Sequence, residues 1–210
     1  GDSAKSSAQD GLTSLDDMDR RRYGLFPLRG KLLNVREASV KQLAENEEII
    51  HIIKILGLRY GTDYSKEDNF KKLRYGRVMI LTDADYDGEH IKGLIMNFFH
   101  WNWPSLLKRK GFICGMVTPI VKAKRMQGKR TIEVKNFYSE QDYLAWTQAN
   151  PMESKRYDIK YYKGLGSSTS REAKDWFREM KVVHYTWDEI TQTSERGHLS
   201  ENDSALELAF

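Results

Sequence analysis

The 210-residue chain carries 34 Lys or Arg against 30 Asp or Glu, a net charge of +4, with 40% hydrophobic and 30% charged residues. That composition is ordinary for a globular protein of one large or two small domains able to bury a core. It contains no apolar run near the roughly 20 residues that span a bilayer, no basic-then-apolar leader, and one cysteine, so the expectation is an intracellular protein with no membrane partner, disulfide or zinc ligand set.

In chain order the elements alternate strand-like and helix-like with short connections, the pattern of an α/β domain built on a mostly parallel sheet. After a helix or loop at the start, a strand is expected over 26–35. A long helix follows over 39–58, with Leu43, Ile49, Ile50, Ile53 and Leu56 on one apolar face. The second strand, 74–81, ends in the apolar run Val78-Met79-Ile80-Leu81, and a helix starting near Glu89 is closed by Trp101, Trp103 and Pro104. Cys114, in an apolar segment, reads as a buried small hydrophobe. Strands over 117–124 and 131–137 flank the turn Gln127-Gly128, and a helix over 139–147 opens with a Ser139-x-x-Asp142 cap. A strand over 158–162 runs into Lys163-Gly164-Leu165-Gly166 and a helix over 169–180. Residues 191–204 are polar and turn-rich, which predicts a linker.

The most informative segment is Thr82-Asp83-Ala84-Asp85-Tyr86-Asp87-Gly88, three carboxylates at alternate positions directly behind a buried strand. Asp oxygens are hard ligands suited to Mg²⁺ or Mn²⁺, and Mg²⁺ takes one or two carboxylates plus waters and substrate phosphates. The spacing therefore points to phosphoryl-transfer chemistry. The opening also matches a calcium-binding EF-hand loop, but the required Glu at loop position twelve falls on Leu94. A solvated turn that caps the following helix is the plain alternative.

Between Lys108 and Ile132 there are eight basic residues (Lys108, Arg109, Lys110, Lys122, Lys124, Arg125, Lys129, Arg130) and no acidic one. This predicts a positive surface for nucleic-acid phosphates, with solvated basic loops as the alternative. The segment from Lys163 to Ser170, between strand and helix, offers backbone N–H groups to an anion, although a tight turn needing its glycines explains it equally well.

Together these segments resemble one family. Phe26-Pro27-Leu28-Arg29-Gly30-Lys31-Leu32-Leu33-Asn34-Val35-Arg36-Glu37-Ala38, Leu73-Arg74-Tyr75-Gly76-Arg77 leading into the acidic motif, and Lys160-Tyr161-Tyr162-Lys163-Gly164-Leu165-Gly166 are similar to the cleavage core of type IIA DNA topoisomerases. So are His90-Ile91-Lys92-Gly93-Leu94, Asn102-Trp103-Pro104 and Thr118-Pro119-Ile120-Val121-Lys122. The eukaryotic or large-virus branch is closer than bacterial gyrase. The Asp-Ala-Asp spelling and Glu89 depart from its commonest form.

The resemblance implies a TOPRIM fold, Rossmann-like and mostly parallel with flanking helices, over 1–190. Residues 191–210 would be a linker and the start of the next domain, leading to a winged-helix domain outside the chain. The family's first motif is Glu-Gly-Asp-Ser-Ala, and this chain begins Gly1-Asp2-Ser3-Ala4. The catalytic glutamate is thus expected just before Gly1 and the DNA-linking tyrosine downstream. No complete catalytic set is expected within the chain, which alone would be an inactive piece of a larger enzyme.

By the same resemblance Asp83 would bind both metal positions, Asp85 one of them, and Asp87 would ligate through water or support the loop. The metal would be Mg²⁺, with Mn²⁺ or Ca²⁺ as substitutes, and ATP would bind only an upstream domain. Lys31, Asn34, Lys163 and Lys122 would contact double-stranded DNA, and Gly1, Asp2 and Arg29 would line a cleft for intercalating poisons. A homodimer is implied, located in the nucleus if eukaryotic or in the host cell interior if viral. Two readings compete. Another TOPRIM enzyme, a primase or nuclease, would share the acidic loop but not 27–38 or 160–166, and a non-catalytic DNA-binding scaffold would not need Asp83 and Asp85.

Overall fold

A computed structural model describes residues 2–187, 191–194, 197–200 and 206. Among them the elements run α1 (Asp2–Leu12), α2 (Asp17–Arg20), α3 (Val40–Glu45), α4 (Glu47–Leu56), α5 (Glu67–Phe70), β1 (Val78–Ile80), α6 (Tyr86–Asn102), α7 (Pro104–Leu107) and β2 (Ile113–Met116). There follow β3 (Val121–Gln127), β4 (Arg130–Phe137), α8 (Glu140–Ala149), β5 (Tyr157–Tyr161), α9 (Ser170–Glu179), β6 (Val182–His184), β7 (Thr191–Ser194) and β8 (Gly197–Ser200). No helix among the described residues is long and apolar enough to cross a membrane. The chain forms two compact units interleaved along the sequence. One comprises the described residues of Gly1–Pro27, Leu81–Tyr86 and Met116–Lys181, the other those of Leu28–Ile80, Asp87–Gly115 and Val182–Phe210.

The second unit holds the larger core. Its sheet has the order β1-β2-β6, with β1 and β2 parallel in the register Val78 to Ile113, Met79 to Cys114 and Ile80 to Gly115. Parallel neighbours need a crossover, and α6 supplies it. From α6 and the segment behind it, Phe98, Phe99, Trp103 and Phe112 pack edge to face at centroid separations of 5.1 to 5.6 Å. The Trp103 indole N–H donates to the Arg59 carbonyl (2.8 Å), so this bulky apolar group is buried with its one polar atom satisfied. Cys114 is fully buried, its S–H donating to the Val78 carbonyl, and burial pushes the thiol pKa up.

Two expectations fail here for local reasons. Residues 26–35 form no strand: Pro27 has no N–H for a ladder, Gly30 takes φ +92°, and burial falls on Leu32 and Val35, three apart rather than alternate. The expected helix over 39–58 is two helices. Asn46 leaves the helical region at φ −75°, ψ 111°, and its side chain accepts from the Ile49 N–H to start α4 afresh. Gly57, left-handed at φ +75°, then ends α4.

In the first unit β3 is the centre of an antiparallel sheet ordered β4-β3-β5. Val121, Ala123, Phe137 and Tyr157 are its buried apolar residues, covered by Tyr143 and Trp146 of α8. The expected strand over 117–124 starts only at Val121, in β3, with Pro119 in the stretch before it. Helices α8 and α9 start at the caps Ser139 and Thr169, each side chain accepting from the N–H three residues on. β7 and β8 pair antiparallel where a linker was expected.

Helix α1 packs on α9 with Gly11 against Phe177, so closely that an added Cβ would stand 2.1 Å from the ring's Cδ2. Gly11→Ala gains up to about 1 kcal/mol of helix propensity, but overpacking a rigid aromatic costs about 1–3 kcal/mol. We expect a net loss of stability, read as a lower urea midpoint at unchanged slope.

Candidate metal centre

Asp83 lies three residues beyond the end of β1, in the segment 81–86 that belongs to the first unit. Its Oδ1 accepts the Leu165 backbone N–H at 2.7 Å. Leu165 is held in turn, its carbonyl accepting from the hydroxyls of Ser7 (3.0 Å) and Ser168 (2.7 Å). The neighbouring Gly164 has no room for a side chain, since a Cβ there would meet Asp83 Oδ2 at 2.9 Å. The acidic motif and the Lys163–Gly166 segment, each read separately in the sequence, therefore form one constellation. The N–H aimed by expectation at a phosphate serves a carboxylate.

A divalent cation suits what remains. Asp83 keeps Oδ2, Asp85 is exposed, and the buried hydroxyl oxygen of the preceding Thr82 has no hydrogen-bond partner. No group of three or more His, Cys, Asp or Glu among the described residues is placed to hold a metal. A two-carboxylate set completed by water and phosphate oxygens fits Mg²⁺ and not a closed transition-metal site.

Asp87 has another partner. The helix begins at Tyr86 rather than near Glu89, which puts Asp87 in its first turn, and Oδ1 stands 2.7 Å from Lys31 Nζ. The Lys31 hydrogen bond and charge hold the Asp87 carboxyl below its ordinary range. Lys31, expected on DNA, is thus ion-paired within its own unit, although both side chains stay exposed. The Asn34 oxygen accepts from Asn97 Nδ2 (3.0 Å) and from the Arg36 N–H (3.2 Å). Lys163 is exposed and has no ion pair among the described residues.

Lys122, also expected on DNA, is 8% exposed, and its Nζ lies 3.6 Å from Glu172 Oε1. Arg109 pairs with Glu67 (2.7 Å) and Arg125 with Glu153 (3.8 Å), so three of the eight cations in the basic segment are held internally. Asp2 and Arg29 are exposed, and Gly1 lies outside the described residues. Sequence reading missed Glu172, although Thr169-x-x-Glu172 is a capping-box signature. It also missed the exposed run Arg20-Arg21-Arg22. Burial alone would raise the Glu172 pKa, but hydrogen bonds from Lys160, the Thr169 N–H and Tyr162 outweigh it and lower the value from 4.5 to about 2.

Residues 1–117 match the Toprim domain model, and residues 116–210 match the C-terminal associated domain of TOPRIM. DNA topoisomerase 2-alpha of Rattus norvegicus is 50% identical over all of this chain, and that of Homo sapiens is 49% identical. DNA topoisomerase 2, mitochondrial, of Dictyostelium discoideum is 46% identical, again over the full chain. The chain spans 13%, 12% and 15% of the respective lengths of these relatives. It also resembles the crystal structure of the Plasmodium falciparum topoisomerase II DNA-binding, cleavage and re-ligation domain, with a TM-score of 0.82 and 44% identity. That match covers 100% of this chain and 26% of the other. The Rossmann-like Toprim fold expected from the sequence is therefore the fold of this chain.

Folding depresses the Glu172 pKa, so its stabilisation is complete above the unfolded value and is lost as pH falls from 4.5 toward about 2. In urea unfolding, wild type should exceed Glu172→Gln at pH 6, with the gap narrowing steadily below pH 4.5. A gap independent of pH would contradict the depressed pKa.

Proposed function

We propose, from the premise that this chain belongs to the Toprim domain family, that it is the metal-binding part of an ATP-dependent type IIA DNA topoisomerase. In this reading the enzyme makes transient double-strand breaks and passes a second duplex through them. The observation that carries it is the clamped carboxylate: Asp83, fixed by the Leu165 N–H against Gly164, presents one remaining oxygen, with exposed Asp85 two residues further along the chain. The names of relatives matching the whole chain support the same reading.

Asp83 and Asp85 would hold Mg²⁺, and Asp87 would act on the loop through Lys31. When bound, the ion would stabilise charge developing on the scissile phosphate and the departing oxygen. The chain's own contribution is placement: the Leu165 N–H orients Asp83, and the absence of a side chain at Gly164 keeps Oδ2 accessible. Lys163, the Arg20–Arg22 run and Lys31 would neutralise DNA phosphates, Lys31 by exchanging Asp87 for the backbone. Two copies would cut opposite strands, so the enzyme would be a homodimer. ATP would act through a domain outside these residues, in whichever compartment holds the DNA.

Isothermal titration with Mn²⁺ tests the centre. Asp83→Ala with Asp85→Ala should abolish binding, and Gly164→Ala, which pushes on Oδ2, should weaken it about tenfold or more. Equal binding by wild type and the double variant would sink the metal assignment. Replacing the matching segment of the Rattus norvegicus relative with this chain should preserve ATP-dependent relaxation of supercoiled plasmid, and adding Asp83→Ala should remove it.

DNA binding should be salt-sensitive and tolerant of sequence. Lys31→Ala or Lys163→Ala should each reduce the slope of log affinity against log salt by about one unit. Asp87→Asn, which releases Lys31, should tighten binding at low salt, whereas Lys122→Met should leave the slope unchanged. A slope that responds to Lys122 and ignores Lys31 would reverse these assignments.

A further inference from the structure

Glu172 sits in the first turn of α9, 5% exposed, and takes hydrogen bonds from three directions. Oε2 accepts from Lys160 Nζ (2.7 Å), the Thr169 N–H (3.0 Å) and the Thr169 hydroxyl (3.1 Å). Oε1 accepts from the Tyr162 hydroxyl (2.7 Å) and faces Lys122 Nζ at 3.6 Å. Its partners thus lie on β3, at the end of β5, just beyond β5 and at the cap of α9.

This distribution matters because of what lies between Tyr162 and Thr169. The six intervening residues, 163–168, include Gly164 and Leu165, which together clamp Asp83. Both ends of that turn are therefore bound to one buried anion. Its placement is well determined: two cations, a phenol and a backbone donor converge on it, and burial together with the carboxylate raises the Tyr162 pKa in turn.

We propose that Glu172 is a positioning residue for the candidate metal centre: by fixing both ends of the 163–168 turn it aims the Leu165 N–H at Asp83 and thereby sets the direction of the free Asp83 oxygen. It touches neither Asp83 nor substrate, and acts through Leu165. The proposal rests on the reading of Asp83 as a metal ligand, and its test separates the two.

The 210-residue chain is titrated with Mn²⁺ by calorimetry and electron paramagnetic resonance, and the Leu165 amide is followed by ¹H–¹⁵N NMR without metal. Glu172→Gln preserves the capping box in outline but removes the counter-charge of Lys122 and Lys160. Tyr162→Phe removes one hydrogen bond, keeps both ion pairs, and decides the matter if Glu172→Gln does not fold. Both variants should move the Leu165 amide resonance toward its position in Asp83→Asn and weaken Mn²⁺ binding, by about tenfold for Glu172→Gln. Trp146→Leu, which removes α8 packing from the β4-β3-β5 sheet of the same unit away from the turn, should change neither readout. If Asp83→Ala leaves Mn²⁺ binding intact, the metal reading fails. If Asp83→Ala abolishes binding while both Glu172→Gln and Tyr162→Phe, or the latter alone where the former does not fold, leave affinity and the Leu165 resonance at wild-type values, Glu172 is structural only and the proposal is overturned.

Discussion

A backbone N–H at Leu165 and a carboxylate at Asp83, 2.7 Å apart, join segments separated by 82 positions. A charged acceptor makes this stronger than an ordinary backbone hydrogen bond, but it holds only if the donor is already aimed, since ordering a loose turn would consume the gain. The surroundings provide that aim. The Leu165 carbonyl is fixed by two hydroxyls, Gly164 leaves space for the carboxylate, and the α9 cap closes the turn from the far side.

Charge in this molecule follows the same preference for internal partners. A run of eight cations suggests a continuous basic face, yet Arg109, Lys122 and Arg125 each find a glutamate. Glu172 is the extreme case, one carboxylate facing two lysines with almost no solvent. Desolvation sets much of the attraction in such a pair against it, so its value is better measured by geometry than by stability. Lys108, Lys110, Lys129 and Arg130 stay exposed, as do Arg20, Arg21 and Arg22 outside that segment.

Local signals were legible in the sequence because they are settled locally. Ser139 caps its helix as expected, the apolar face of α4 is buried at Ile49 and Leu56, and the strand-turn-helix around the acidic motif is present. The errors occurred where one residue outweighs a pattern: Pro27 and Gly30 cancel an apolar run that looks like a strand, and Asn46 cuts a continuous helical periodicity in two. The candidate site was legible as residue types and not as contacts. No spacing rule predicts that Lys31 meets Asp87, or that Lys122 turns inward to Glu172, because both depend on how distant elements pack. The motif strings led to the family because they preserve the outcome of that packing without displaying it.

Cys114 gives the fold a built-in reporter. Its sulfur is sealed between paired strands, and its raised pKa leaves little thiolate for attack. A thiol reagent can reach it only when the β1–β2 pairing opens, so the labelling rate measures how often that sheet breathes. Because the chain has no other cysteine, the signal comes from one strand, and the acidic segment continues directly from that strand's partner.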